Sequence, residues 1–297
     1  MIERYPQPAQ PLVQAMERDA AKSPEAAVSF QGAPGANSHV ALTEALKGAL
    51  PLPCFSFEEA IDAVVHGKAA KAMIPIENSL FGRVADIHFL LPESGLSIVG
   101  EHFLRIRHAL MGLGALAEVK QAISHPQALG QCRAWLRQNG IEAVAYPDTA
   151  GAAARVRELD DPTVAAIAPP FAADTYGLRL IETGLEDSDD NMTRFVILAR
   201  EAAVQQSDGP MMTSLIFEVK NVPAALYKAM GSFATNGVNM TKLESYQRGA
   251  SFAATTFFAD IVGSPDDPAV ASALEELQFH SKSLRLLGTY PQARKRG

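Results

Sequence analysis

Thr193 and Arg194 stand between an acidic run, Ser188 to Asn191, and an apolar run, Phe195 to Leu198, in the stretch SDDNMTRFVILAR. A hydroxyl and a guanidinium at the mouth of a buried strand combine a neutral donor with a planar fork that fits a carboxylate. The plain alternative pairs Arg194 with Asp187, Asp189 or Asp190 and makes Thr193 an ordinary β-branched strand residue. Other small hydrogen-bonding residues recur where apolar runs end: Gln31, Glu77-Asn78-Ser79, Ser124-His125 and Asp148-Thr149. Each also has a purely structural role open to it. Ser124 with Gln127 matches the S-x-x-Q capping box, Asp148 and Thr149 suit helix caps, and Asn78-Ser79 suits a turn. Together they describe a cleft shaped for a small polar anion.

The elements that must position these groups alternate strand and helix up to about Arg200. AAVSF reads as a strand, followed by a helix that starts after Gly32 and Gly35 with Asn37 or Ser38 as its cap. AKAMIPI is a second strand and HFLRIRHALMGL one long extended segment. KQAISHPQALGQCRAWLRQNG gives a strand end, then a helix with Leu129, Cys132 and Leu136 on one side and Gly140 as its stop. EAVAYPDTAGAAARVREL repeats the pattern, and TVAAIAPPFAADTYGLRLIE gives strand, short helix to Gly177, and strand. This alternation points to parallel sheets with helices on both faces and ligands beyond the strands' carboxyl ends.

After Arg200 the pattern changes. EAAVQQSDGP is a polar linker and MTSLIFEVKN a strand. VPAALYKAMGSFATNG is a helix with Pro223 near its first position and Leu226, Met230 and Phe233 in register. Two strands around a turn at Gly249, a helix with Val270, Leu274 and Leu277 aligned, and the strand KSLRLLGTY complete a ferredoxin-like βαββαβ order. PQARKRG reads as a frayed basic tail.

Composition narrows the function classes. The net charge of −7, from 26 Lys and Arg against 33 Asp and Glu, argues against a nucleic-acid binder. No apolar run is long enough for a membrane span. The early acids and prolines of MIERYPQPAQPLVQAMERDAAK do not make a signal peptide, so the segment is expected to be a tail with one short helix. Cys54 and Cys132 lie far apart, which favours free thiols in a cytoplasmic setting and no zinc cage. No metal and no cofactor is expected.

At this level of detail the chain resembles prephenate dehydratase with a C-terminal ACT regulatory domain. The resemblance rests on VSFQGAPGANSHVA, IPIENSLFGRV, SHPQALGQC, YGLRLIE with DNMTRFVIL, and VNMTKLES, in family order from about residue 27 to 290. It implies a two-lobed catalytic domain similar to a periplasmic binding protein over residues 25–200, with lobes 25–105 plus 181–200 and 106–180. The tail 1–24, a linker at 201–210, the ACT domain at 211–290 and the tail 291–297 complete the organisation. The implied reaction takes prephenate to phenylpyruvate, water and carbon dioxide.

In that reaction Thr193 would donate to the departing hydroxyl, and Arg194 would clamp a substrate carboxylate or brace the acidic loop. Phe195 completes the motif. Glu77 and Asp148 become proton-donor candidates if burial raises their pKa, while Asn78, Ser79, Ser124, Gln131 and Thr149 supply neutral donors. Arogenate is the rival substrate, and a small-anion or amino-acid binding regulator the rival without catalysis. The resemblance also implies L-phenylalanine as effector, bound at Ala224, Ala225 and Leu226 and at Asn239, Glu244 and Ser245, in a homodimer or homotetramer. The family pattern has Gly at Ala224 and Arg-Pro at Tyr246-Gln247, so this chain departs from it at the effector segments.

Overall fold

In chain order, helix α1 (Gln10–Lys22) precedes β1 (Ala27–Gln31), α2 (Asn37–Ala45), β2 (Leu50–Cys54), α3 (Phe57–Val65), β3 (Lys71–Asn78), β4 (Gly82–Arg83), α4 (Ala85–Glu93) and β5 (Ser97–Arg105). Then come β6 (Ala109–Gly112), β7 (Gln121–Ser124), α5 (Pro126–Gln131), α6 (Arg133–Gln138), β8 (Glu142–Ala145), α7 (Thr149–Leu159), β9 (Val164–Ala168), α8 (Phe171–Tyr176), β10 (Arg179–Thr183) and β11 (Met192–Ala199). The C-terminal part contributes β12 (Met211–Val219), α9 (Ala225–Thr235), β13 (Met240–Tyr246), β14 (Thr256–Val262), α10 (Pro268–His280) and β15 (Ser281–Pro291). This computed structural model describes residues 4–202, 209–247 and 255–296. The turn expected at Gly249 lies outside the described residues.

The strands before β12 form two sheets. One is ordered β2-β1-β3-β11-β5 with β4 folded onto β3, and the other β10-β6-β9-β7-β8. They are mixed rather than all parallel: β1 runs parallel to β2 and β3, and β7 to β8 and β9, while β6 is antiparallel to β9 and β10. The cause is the break in HFLRIRHALMGL. The chain leaves the first sheet after Arg105 and enters the second at Ala109. It returns over residues 184–191, and the two crossings meet where Ile106 N–H donates to Asn191 O at 2.9 Å. Residues 181–183 therefore belong to β10 of the second sheet, not with the first lobe. Two prolines in LPLPC hide β2 from a strand reading, and its edge position tolerates them. The N-terminal segment holds a helix of 13 residues, with Val13 and Ala20 buried.

Small side chains let the second lobe pack closely. Ala109, Ala150, Ala152, Ala153, Ala154, Ala166, Ala168 and Ala172 form one buried cluster that seats α7 and α8 against the sheet. The first lobe touches the same cluster through the loop after β1. Tyr176 Oη donates to Pro34 O at 2.6 Å, and a Cβ on Gly35 would stand 3.2 Å from Ala172 Cα. At φ +97° Gly35 also takes a backbone region that side chains avoid. Single glycine-to-alanine exchange there would separate the lobes at their contact.

By packing, the chain divides into Met1–Ile87 with His102–Phe195, and His88–Glu101 with Val196–Gly297. The second of these units carries the sheet β13-β14-β12-β15, the ferredoxin-like strand order for βαββαβ. Its core joins Phe217, Phe233, Phe257, Val270, Ala273 and Leu277. Residues 88–101 lie on it. The His88 ring meets Phe258 edge-on at 5.1 Å, Phe89 meets Tyr246 at 5.9 Å, and Arg285 Nη1 donates to Pro92 O. A Cβ on Gly288 would come within 1.9 Å of Ile98 O, so only glycine lets β15 cross there.

The end of the chain is docked rather than frayed. Arg296 pairs with Glu101, and its Nη1 lies 3.8 Å from Asp260 Oδ2; both carboxylate side chains have 0% exposure. Ala293 N–H also donates to Glu101 at 3.1 Å, and Ser214 Oγ donates to Asp260 at 2.5 Å. Two carboxylates withdrawn from water need a cation beside them, and the basic tail delivers one.

Pro223 precedes the cap of α9 rather than opening the helix. The cap is Ala224, in the left-handed region at φ +62°. A side chain there costs roughly 1–2 kcal/mol. Ala224→Gly is expected to stabilise the C-terminal unit by roughly 0.5–1 kcal/mol after the extra freedom of glycine in the unfolded chain is counted. Urea unfolding at fixed pH measures it, and a lower midpoint would contradict the expectation.

Candidate active site

A cavity of about 540 Å³ opens where the carboxyl ends of the strands and the starts of α2, α5 and α7 converge. From the first lobe it is lined by Gln31, Gly32, Ala36, Asn37, Ser38, Asn78, Arg83 and Asp86, with Thr193 and Phe195 on β11. His125, Gln127, Gln131, Asp148 and Thr149 line it from the second, and His108 from the crossing. A larger cavity of about 960 Å³ lies by α1, β2 and α3. Its walls include the solvent-facing pair Arg4–Glu59 and the Cys54 thiol, which burial pushes up to about 12. None of the strand-end polar groups reaches it.

Alternation along β11 sorts the Thr-Arg-Phe run. Thr193 and Phe195 face the cavity and Arg194 faces away from it. Arg194 is 2% exposed and donates through Nη1 to Glu77 Oε1 at 2.8 Å. The expected partners lie elsewhere: Asp189 pairs with Arg105 at 2.8 Å, and Asp187 accepts from Ala134 N–H. Arg194 is therefore neither a brace of the acidic loop nor a lining cation of the cavity. Glu77 is its counter-ion, not a cavity proton donor.

Asn78 organises the mouth. Its Nδ2 donates to Thr193 Oγ1 at 3.0 Å and Asn191 Oδ1 at 2.8 Å. Its Oδ1 accepts from Leu80 and Phe81 N–H at 3.0 and 3.1 Å. One side chain thus fixes the turn after β3 and the start of β11. Thr193 Oγ1, occupied as an acceptor, keeps its only proton for whatever enters the cavity.

Ser79 and Ser124 do other work. Ser79 Oγ donates to Asp190 O at 2.7 Å and accepts from Met192 N–H at 2.9 Å, which ties the acidic loop. Ser124 is 0% exposed and donates to Ile167 O at 2.5 Å, across the sheet. It does not cap α5. That cap is His125, whose Nδ1 accepts from Gln127 N–H at 3.2 Å. The single helix expected before the stop at Gly140 is also two, α5 and α6, broken at Cys132.

Asp148 caps α7 and accepts from Gly151 N–H at 2.7 Å. A Cβ on Gly151 would lie 2.3 Å from Asp148 Oδ2, so glycine is what lets the carboxyl seat there. Part of the residue meets the cavity, yet protein surrounds its carboxyl. Burial pushes its pKa up, against backbone donors from Gly151, Ala33 and Ala150 and the nearby His125. The sign follows. Below the ordinary carboxylate pKa both folded and unfolded chains hold the proton. Above it the unfolded chain releases the proton first, so stability falls as pH rises towards the raised native value. Asp148→Asn keeps the cap's acceptor and is expected to flatten that slope. Thermal unfolding between pH 4 and 7 tests it; an unchanged slope would place the carboxyl in an ordinary environment.

The start of α2 presents its first-turn N–H groups at the cavity wall, since its cap Ala36 makes no side-chain bond. The loop before it is held by His39, whose Nδ1 accepts from Gly35 N–H at 3.1 Å. Burial lowers the pKa of that ring to about 4 and keeps it neutral. Two lining residues escaped the sequence reading. Arg83, opposite Glu77 in the β3–β4 hairpin, is the one Arg or Lys among the described lining residues. His108 sat inside a segment read as one strand. The first had a signal, a cation four residues past a turn-forming Asn-Ser. The second lies at the lobe crossing that the resemblance places at residues 105/106, although its segment reads as one strand.

The expected effector residues lie in the C-terminal unit. Ala224 and Ala225 open α9, Leu226 packs against its core, and Asn239 O accepts from Val262 N–H at 2.9 Å. Glu244 stands 3.6 Å from Lys242, and Ser245 faces Phe257 in the sheet. Tyr246, in place of the family's Arg, is buried against Phe89.

Comparison with known proteins agrees with this architecture. Residues 28–203 match the family model for prephenate dehydratase. The bifunctional N-acyl-homoserine lactone acylase/prephenate dehydratase of Komagataeibacter europaeus is 47% identical over 270 residues, 90% of this chain and 96% of the relative. Arogenate dehydratase/prephenate dehydratase 1 of Arabidopsis thaliana is 36% identical over 280 residues, 89% of this chain and 71% of the relative. The crystal structure of prephenate dehydratase from Arthrobacter aurescens in complex with L-Phe superposes with a TM-score of 0.83 at 31% identity, covering 90% of each chain. With the family model spanning more than half of its length and these relatives aligned along both units, the chain belongs to the prephenate dehydratase family.

Proposed function

We propose that the cavity binds prephenate and converts it to phenylpyruvate, water and carbon dioxide, a carbon–oxygen lyase step of L-phenylalanine biosynthesis. The observation that carries this is the Asn78–Thr193 bond, which leaves the Thr193 proton for the leaving group. In the reaction the ring's C–CO₂⁻ bond breaks and its electron pair moves into the ring. The opposite C–OH bond breaks, and the oxygen takes up one proton to leave as water. Aromatisation drives the step, so the protein's task is to assist the departing oxygen. Thr193 hydrogen-bonds that oxygen, and Asp148, whose pKa burial raises, is the proton donor. Arg83 and the start of α2 take the two substrate carboxylates. Gln131 and Thr149 add neutral donors, and Phe195 an apolar wall. No cofactor enters this scheme.

Arogenate carries an amine where prephenate has a keto group, and the plant relative is named for both. Measuring kcat/KM for each substrate on the full chain tests the reading. Turnover of neither would overturn it, and turnover of arogenate alone would move the specificity. The Komagataeibacter relative favours a second reading, amide hydrolysis of N-acyl-homoserine lactones. Release of the free lactone by this chain would establish it; none under conditions of full dehydratase turnover would exclude it.

L-phenylalanine acts on this reading as a feedback effector of an ACT-type C-terminal unit. The start of α9 at Ala224 and Ala225 meets its carboxylate, and residues 239–245 its amine. Assembly as a homodimer or homotetramer and a cytoplasmic location belong to the same reading. The two free thiols suit a reducing compartment. None of the described helices is long and apolar enough to cross a membrane. Calorimetry with L-phenylalanine tests the effector; no heat at millimolar ligand, with turnover unchanged, would leave the unit an assembly module.

A further inference from the structure

We infer that His108 is a positioning residue that holds the Gln131 amide with its NH₂ group towards the cavity, an inference that rests on the dehydratase reading of that cavity. His108 sits in the crossing between β5 and β6, is 2% exposed, and lines the cavity together with Gln131. Its Nε2 meets Gln131 Oε1 at 2.5 Å. With the amide oxygen facing the ring, Nε2 carries the ring proton, and the surroundings of Nδ1 decide whether it does. Nδ1 is buried and has no partner among the described residues. A bare lone pair is tolerated there more readily than an N–H with nothing to donate to, which selects the same tautomer. Burial lowers the ring's pKa, with Gln131 and Glu186 opposing it, so the ring stays neutral.

The consequence falls on Gln131. Its backbone is fixed where its carbonyl accepts from Asp187 N–H at 2.7 Å. With Oε1 tied to His108, the two Nε2 hydrogens are the part left for a ligand. A substrate with two carboxylates calls for donors, and an amide turned by half a rotation would present an acceptor instead. The two orientations have nearly the same shape, so packing alone does not choose between them. The donor behind the amide makes the choice, and His108 is that donor.

The test uses the full chain and three variants. His108→Phe keeps a ring of similar size without an N–H, and Gln131→Ala removes the amide. His108→Phe is expected to lose about 10- to 100-fold in kcat/KM, mostly through KM, since a bond to an anionic ligand is lost. If His108 acts only through Gln131, the double variant is no worse than Gln131→Ala alone. Losses that multiply, or wild-type kcat/KM in His108→Phe, overturn the inference. Nitrogen NMR of ring-labelled histidine reads the same arrangement without turnover. A proton on Nε2, with a resonance that moves in Gln131→Ala, is expected, and a proton on Nδ1 overturns the inference whatever the variants do. A wild-type chain that shows the expected nitrogen spectrum but turns over neither prephenate nor arogenate would instead overturn the dehydratase reading.

Discussion

Thr193→Val is expected to lower kcat by about 100- to 1,000-fold, the range for removing one positioned hydrogen-bond donor, with the fold retained. Valine matches threonine in shape, and the site is only 9% exposed. Asn78 Nδ2 loses one acceptor but keeps Asn191 Oδ1 and Met192 O, at 2.8 and 3.3 Å. The stability loss should therefore stay near 1 kcal/mol. Thr193→Ser keeps the hydroxyl and should retain most of the activity that Val loses. Thr193→Ala should resemble Val in rate while opening a small void. Single-turnover kinetics separate the chemical step from product release. Wild-type turnover in a folded Val variant would remove Thr193 from the chemistry.

Arg296→Ala should destabilise the C-terminal unit by about 3 kcal/mol, because it takes a guanidinium from beside two fully buried carboxylates. Glu101 keeps the Ala293 N–H and Asp260 keeps Ser214 Oγ. Arg296→Lys restores the charge without the fork and should fall between the two. Urea unfolding followed through the C-terminal unit gives the comparison. A loss under 0.5 kcal/mol would show that the tail is not the counter-ion it looks to be.

Legibility followed the range of the forces at work. A cap at Asp148 or Thr149, Gly177 at its stop and the βαββαβ order were readable because caps, αL glycines and periodic apolar faces are local signals. The facing of the Thr193-Arg194-Phe195 run also follows from strand alternation, once the cavity's side is known. Arg194 could not be read as paired with Glu77, since 117 positions separate them along the chain. Ser124 carried a sound capping pattern and still lost it, because the Ile167 carbonyl of a neighbouring strand and the His125 ring were better placed. The docked tail shows the same limit. PQARKRG looks solvated unless Glu101 and Asp260 are known to be buried.

The chain passes between its two packing units three times, after Ile87, after Glu101 and after Phe195. Cutting and pasting at 201–210 would therefore not yield a clean exchange of C-terminal parts. A recipient would inherit a foreign sheet under its own residues 88–101, with the Phe89–Tyr246 and Ile98–Gly288 contacts mismatched. A workable chimera has to import that internal segment with the C-terminal part, through two further joins at 87/88 and 101/102. Those joins fall, along the chain, beside the hairpin that carries Arg83 and shortly before His108, so each must be made without disturbing a residue that lines the cavity.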